Sequence, residues 1–366
     1  MKKTILSVVL LSILCLIGCE STSDDTIDTV STLPNVGIIS NDETNLKVFH
    51  IDITDDGENL VTSNLTDEIG LPYVYRDVSY ENNTITFFAR ELSDLKYTIY
   101  EKHVNTGEIN IYEEVCSQNQ QAINGVSRSE QKIILFAIDS NEFNLNIQDR
   151  STNECFIANF QNLDNFFFRF NCVDNEIIYL YLYDEFNELK IISVELGTGN
   201  ILNEMTLDSN SRVRIIGESL YVEKNGSPVK VYDKNTFELQ NELQIDNLRL
   251  GNEYISKIEN NGENIIIYIP LAAPSFSAYS PAIYDISTFE IIKGGSQLIF
   301  DIRDNLIDEA DVGAGPIIYD VDVHSEIIVL SFRDISGNHN LLYSNFDAEI
   351  LKIVPLNMEP NDVFIY

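Results

Sequence analysis

Seven near-copies of one β-hairpin, a strongly β-forming run ahead of most of them, and the lack of helical periodicity together predict an all-β fold. The fold predicted is a seven-bladed β-propeller of four-stranded antiparallel blades. The clearest copy is Ile191 to Leu207, IISVELGTGNILNEMTL, which reads as a strand, a tight turn at Thr198 and Gly199, and a second strand. Two apolar β-branched runs around a Gly-containing turn specify a hairpin, because positive φ is cheap only for Gly and tolerable for Asn or Asp. The template recurs as VFHIDITDDGENLVTSNL from Val48, YTIYEKHVNTGEINIYEEV from Tyr97 and LNIQDRSTNECFIANF from Leu145. Further copies are VKVYDKNTFELQNELQI from Val229, AIYDISTFEIIKGGSQLI from Ala282 and LLYSNFDAEILKIVPL from Leu341. Turn to turn they are mostly about 40–50 residues apart, the period of four-stranded blades.

Each hairpin follows another strongly β run, and the clearest are ITFFAR at Ile85, IILFAI at Ile133, IIYLYL at Ile177, LYVE at Leu220, IIIYI at Ile265 and IIVLSF at Ile327. Weaker strands lie before these, such as YVYRDV at Tyr73, FFFRF at Phe166, VRII at Val213 and PIIYDV at Pro316. No 3.6-residue periodicity of useful length is expected outside the leader. Seven such units suit radial closure, which leaves only short, protected sheet edges. The first unit, from Val36, lacks its innermost strand, whereas the chain ends on a spare one, Asn361 to Tyr366. Pairing the terminal VFIY with the first blade closes the ring.

The segments VKVYDKNTFELQNELQI and AIYDISTFEII resemble the YVTN-type and quinoprotein-like propeller repeat, whose third strand ends in Tyr-Asp or Ile-Asp before a Thr-x turn. The resemblance covers nearly all of the mature chain and implies fold rather than activity. WD40 and Trp-motif quinoprotein repeats rely on a recurring Trp, and this chain has none.

Three regions are expected: a signal peptide over residues 1–18, an acidic disordered tether over 19–34 and the propeller over 35–366. Lys2 and Lys3, an apolar run from Ile5 to Ile17 and then Gly18 define a secretory leader rather than a transmembrane span. Leu16-Ile17-Gly18-Cys19 resembles the bacterial lipobox. That resemblance implies diacylglycerol on the Cys19 thiol, cleavage before it and acylation, palmitate for instance, of the new amine; two or more acyl chains give a stable anchor. Ser23-Asp24-Asp25 is similar to the surface-export signal of Bacteroidota lipoproteins, with a merely solvated linker as the other reading. Asp25-Thr26-Ile27 and Asp28-Thr29-Val30 fit the O-glycosylation pattern of the same bacteria, marking Thr26 and Thr29. The expected address is therefore the outer membrane, at the cell surface or on its periplasmic face.

The formal charge is −35; without Lys2 and Lys3, 21 basic residues oppose 58 acidic ones, or −37. A field of that sign repels nucleic acid and anionic membrane surfaces. After processing, Cys116, Cys155 and Cys172 remain, which permits at most one intramolecular disulfide. Their spacing matches no metal motif, and packing as small apolar residues is the simpler reading.

His50, His103, His324 and His339 form no HExxH or Cys/His pattern, and no GxSxG, P-loop or GxGxxG stands in a usable context. Three candidate sites follow from placement. Arg76, Arg169, Arg212 and Lys257 fall at similar places in four innermost strands, where they could hold a carboxylate or phosphate or else pair with channel-wall acids such as Asp77 and Asp320. The two longest insertions, Pro270 to Pro281 and Phe300 to Gly315, rise from one face at the sixth blade and offer Phe276 and Tyr279 as aromatic contacts. Asp308, Glu309 and Asp311 in the second insertion could bind calcium, as could Asp52 to Glu58, although a solvated loop or short helical turn explains both. The function expected is a lipid-anchored binding or scaffolding module for a protein, peptide or glycan at the cell envelope. The alternative is an envelope hydrolase or lyase with its site in the funnel.

Overall fold

The computed structural model describes residues 32–81, 83–90, 97–113, 115–116, 122–139, 142–160, 170–183, 188–224, 228–244, 255–258, 261–272, 275, 277–310 and 312–366. Cys19, Thr26, Thr29, Arg169, Phe276 and Asp311 lie outside the described residues, as do the side chains of Lys257 and Asp308.

Seven sheets follow one another along the chain. Blade 1 pairs Asp362–Ile365, Val36–Asp42, Lys47–Thr54 and Asn59–Asn64 in that order. Blade 2 is Asp77–Glu81, Thr84–Arg90, Tyr97–His103 and Ile109–Glu113. Blade 3 is Ala122–Arg128, Lys132–Asp139, Glu142–Asp149 and Cys155–Phe160. Blade 4 is Phe170–Asp174, Ile177–Tyr183, Leu189–Glu195 and Ile201–Leu207. Blade 5 is Arg212–Ile216, Ser219–Glu223, Val229–Asp233 and Leu239–Leu243. Blade 6 pairs Asn264–Pro270, Tyr279–Asp285 and Ile291–Gly294; the strand before them, Ile255–Lys257, instead bonds in parallel to the innermost strand of blade 5. Blade 7 is Val312–Asp322, Ile327–Asp334, His339–Asn345 and Ile350–Leu356.

The chain closes on itself as the spare C-terminal strand suggests. Val36 pairs with Ile365 and Ile39 with Asp362, antiparallel. Side chains alternate across this strand: Phe364 enters the apolar cluster between blades 1 and 2, while Val363 and Ile365 pack against the cluster between blades 7 and 1. Gly37 lies under the Phe364 ring, and a Cβ there would overlap it. The Ile365 N–H donates to Asp320 of blade 7 at 2.9 Å, so the strand is bonded to both neighbours.

The core sits between the blades. Seven apolar clusters occupy the seven interfaces, including that of blade 7 with blade 1. The second strands read as continuous apolar runs because both their faces are covered: Ile178 to Leu182 of blade 4 and Ile328 to Leu330 of blade 7 are all buried.

The hairpin turns share one bonding scheme. In five blades the third strand ends at His103, Asp149, Glu195, Asp233 or Asp285, and a Thr follows three residues later. The next residue, Gly107, Asn153, Gly199, Phe237 or Phe289, has positive φ, and its N–H returns to the carbonyl of the strand's last residue at 2.7–2.9 Å. The Thr hydroxyl accepts the N–H two residues on, at 3.2–3.3 Å. Phe237 and Phe289 hold this left-handed backbone without being Gly, at φ 57° and 56°. Their rings pack on Tyr179 and Tyr221 of the preceding blade, which offsets the backbone strain.

Two expectations need correction. The connector after blade 6 is a twelve-residue helix, Leu298–Glu309, where no helix of useful length was expected. Leu298, Ile299, Ile302 and Leu306 form its buried stripe over the interface between blades 6 and 7. Cys116 and Cys155, expected to pack as separate apolar residues, are joined in a disulfide with Cα atoms 5.6 Å apart, whereas Cys172 keeps its thiol. Their sequence separation of 39 carries no signal, because only the fold brings the connector after blade 2 beside the outer strand of blade 3.

Phe364→Ala should lower unfolding stability by about 3 kcal/mol, the usual cost of truncating a buried Phe. Denaturant melts would show it, and an unchanged midpoint would mean that the closing strand does not hold the ring.

Candidate functional site

In each blade the loop joining the second and third strands and the connector to the next blade open on one face, here the loop face. The hairpin turns occupy the opposite, turn face. The parallel pairing of Val213 with Ile255 shows two neighbouring inner strands running in the same direction along the channel.

Both long insertions rise on the loop face at blade 6, as placement suggested. Tyr279 opens the third strand there, half-buried, and its carbonyl accepts from the Ser277 hydroxyl at 2.7 Å. The second insertion is the helix that seals blades 6 and 7. The Asn305 amide of this helix donates to the Ala348 carbonyl at 2.8 Å. Of the calcium candidates, Glu309 is exposed in the helix's last turn. Among the described residues no three His, Cys, Asp or Glu side chains come close enough to share a metal ion.

The basic residues do not share one level of the channel. Arg76 precedes its inner strand and is exposed, with its backbone N–H on the Phe88 carbonyl at 2.7 Å. Arg212 opens its strand, 3.8 Å from the Glu223 carboxylate. Lys257 closes its strand, level with Ile215, which sets it about 10 Å further along the axis than Arg212.

Sequence reasoning missed where most of the buried basic groups go: they clasp adjacent blades. Between blades 1 and 2, Lys102 binds Glu68 at 2.7 Å and the Ser63 hydroxyl at 3.1 Å. Beside them His50 is buried, and burial together with the Lys102 charge pushes its pKa down to about 4. Between blades 2 and 3, Glu101 is fully buried and pairs with Arg150, and with Arg128 at 3.6 Å. Arg128 also donates to the Thr86 hydroxyl at 2.9 Å. Between blades 4 and 5, Lys234 binds Asp174 at 2.7 Å, the Gly217 carbonyl at 2.8 Å and Glu218 at 3.0 Å. Burial pulls the Lys234 ammonium down, but the two carboxylates outweigh it and hold its pKa above the ordinary lysine value. Lys293 with Glu326 and Lys352 with Glu58 join blades 6 to 7 and 7 to 1.

A signal for two of these clasps was present. Arg150 and Lys234 both follow the Asp that ends a third strand, where the other turns carry Val104, Leu196 or Ile286. A cation at an aliphatic repeat position asks for an acid in the preceding blade.

At the loop-face mouth of the channel the inner strands of blades 1 and 2 begin with Asp362 and Asp77. Burial pushes both carboxyls above the ordinary Asp value, and the Asp77 charge adds to the effect on Asp362. Tyr75, also raised by burial, receives a hydrogen bond from the Asn41 amide at 3.4 Å.

No family model and no curated protein matches the chain. Solved propellers do resemble it in shape. The propeller domain of the trilobed protease from Pyrococcus furiosus matches with a TM-score of 0.44 at 13% identity, covering 77% of this chain and 82% of that one. Apo AztD from Citrobacter koseri gives 0.48 at 11% identity, covering 90% and 96%. A putative 6-phosphogluconolactonase from Bacteroides fragilis gives 0.48 at 10% identity, covering 92% and 99%. Likeness of this degree carries no argument about activity.

Lys234→Met should cost about 3 kcal/mol, because it leaves the Asp174 charge buried without its main partner. Adding Asp174→Asn should recover at least half of that loss in denaturant melts; no recovery would mean that the pair is not coupled. Asp362→Asn should raise Tm by about 1–2 °C at pH 7. A carboxyl whose folded pKa lies above its unfolded value opposes folding while ionised, and the penalty disappears once pH falls below the unfolded value of about 3.9. At pH 3 the variant and wild type should therefore melt together.

Proposed function

We propose that this protein is a lipid-anchored envelope lipoprotein whose propeller serves as a binding or scaffolding module for a protein, peptide or glycan partner. The observation that carries this reading is a division of labour between interior and loop face. Among the described residues most buried cations are engaged between blades, whereas the loop face carries large aliphatic side chains in water: Leu46 is 59%, Val74 66% and Ile335 69% exposed. Exposed apolar side chains gathered on one face mark an interaction surface.

Lipidation at Cys19, O-glycosylation at Thr26 and Thr29 and an outer-membrane address belong to the same proposal and rest on the leader and tether sequence. The Cys116–Cys155 disulfide supports an oxidising compartment outside the cytosol. A second reading, a hydrolase or lyase with its site in the funnel, is favoured by Asp77 and Asp362, since carboxyls with raised pKa values at a channel mouth are a usual mark of acid–base chemistry.

Surface proteolysis of intact cells, run beside a Cys19→Ala variant, tests the address. The wild-type protein should be shaved while the envelope stays sealed, and the variant should leave the membrane fraction. Protection until the outer membrane is permeabilised would place the propeller on the periplasmic side. A variant that still fractionates with membrane would overturn the anchor.

A further inference from the structure

Among the described residues the exposed large aliphatics fall into two groups. One follows the hairpin turns onto the outermost strands, as at Val61, Ile201 and Ile292, where the outer edge of every blade meets water. The other stands on the loop face in consecutive blades. Ile335 tips the loop between the second and third strands of blade 7, Leu46 tips the corresponding loop of blade 1, and Val74 lies in the connector from blade 1 to blade 2. Ile307, 55% exposed on the helix that leads into blade 7, extends the row.

These tips belong to one bonded sector. The Ser40 hydroxyl donates to the Glu359 carbonyl at 2.8 Å, and the Asn41 N–H donates to the Asn361 side chain at 2.7 Å. The Asn41 amide reaches Tyr75, next to Val74, and Glu359 pairs with Arg333, two residues from Ile335. Leu46 breaks two local rules at once. It is a bulky apolar side chain in water, on a backbone with φ 54°. Asp42 holds that loop by accepting the N–H groups of Thr44 and Asn45 at 2.9 and 3.1 Å. Among the described residues Leu46 belongs to none of the apolar clusters between blades, and Asn or Gly would hold this φ with less strain.

The surroundings of the row are acidic. Residues 42–47, 65–77, 333–338 and 357–362 carry eight carboxylates against three cations, a local charge of −5. An anionic lipid surface or nucleic acid is repelled by such a sector. A second copy would bring the same acids against these.

We propose that the sector of Leu46, Val74 and Ile335 docks a basic, aliphatic segment of another protein, with the three side chains as apolar anchors and the surrounding carboxylates selecting Lys or Arg. This rests on the binding-module reading and names its partner class. Electrostatic complementarity of this kind steers encounter and rejects wrong partners, while the apolar anchors set the off-rate.

The test is a titration of the full chain, at physiological salt, with a short alternating Leu–Lys peptide. Leu–Glu and Ser–Lys peptides serve as comparisons. The Leu–Lys peptide should bind at least about tenfold more tightly than either comparison. Leu46→Asn/Val74→Ser/Ile335→Ser should weaken that binding about tenfold, and the outer-strand set Val61→Ser/Ile201→Ser/Ile292→Ser should leave it unchanged. Both sets should melt with wild type; if the loop set does not fold, Val74→Ser and Ile335→Ser alone should each weaken binding about threefold. Equal loss from both sets would reduce the effect to unspecific apolar contact, and no loss from the loop set would reduce it to general charge attraction; either result would sink the proposal. So would binding of phosphatidylglycerol vesicles that depends on the same side chains, or a wild-type dimer in sedimentation that the loop set abolishes. A failed titration leaves the shaving result standing, and protection from shaving leaves the titration standing.

Discussion

Apolar packing between neighbouring blades is the interaction on which the rest of this structure depends. The apolar clusters lie between the sheets, so each blade is completed by its neighbours, and blade 1 by blade 7. In an open array of repeats the end units are half-covered and need capping. Here the strand Asp362–Ile365 removes both ends at once. The ion pairs follow the same geometry. A chain with this excess of acid places buried cations such as Lys102, Arg128 and Lys234 at blade interfaces, where a carboxylate from the adjacent blade meets each. Such pairs are not strong sources of net stability, but breaking one leaves a charge in a dry place, which disfavours arrangements of the two blades that separate the partners.

Much of the fold was legible because its information is local. A Thr-Gly or Thr-Phe turn, a Tyr-Asp before it and a run such as IIYLYL each declare themselves within a few residues. The closing strand was legible as a count: one unit short of a strand, one strand spare. The helix Leu298–Glu309 was harder to see, since its stripe of Leu298, Ile302 and Leu306 is interleaved with Asp301, Asp304 and Asp308 and reads as a polar loop. The disulfide and the clasps are non-local and needed the blade register to be known first.

The site was legible only in part. Reading Arg76, Arg212 and Lys257 as equivalent assumed that they stand at the same place in their strands, whereas Arg212 opens its strand and Lys257 closes a strand of three residues that starts level with Val213. The Asp77 and Asp362 residues lie far apart in sequence, and the Asp77 charge acts on Asp362 only because the ring closes between them. Leu46 was invisible for a simpler reason. A Leu in a polar loop looks ordinary until its exposure and its positive φ are known together.

Ring closure also sets a schedule. The strand Val36–Asp42, whose first five residues end up buried, is among the first parts of the propeller to be made, and its pairing partner is among the last. At ordinary synthesis rates the interval is roughly 15–60 s. Throughout that time VGIIS presents an open apolar edge, the kind of template on which strands of other chains add. Until the last strand arrives, this one edge is the part of the propeller most exposed to wrong pairing. The hazard scales with the length of chain between residues 36 and 362 rather than with the stability of the finished fold.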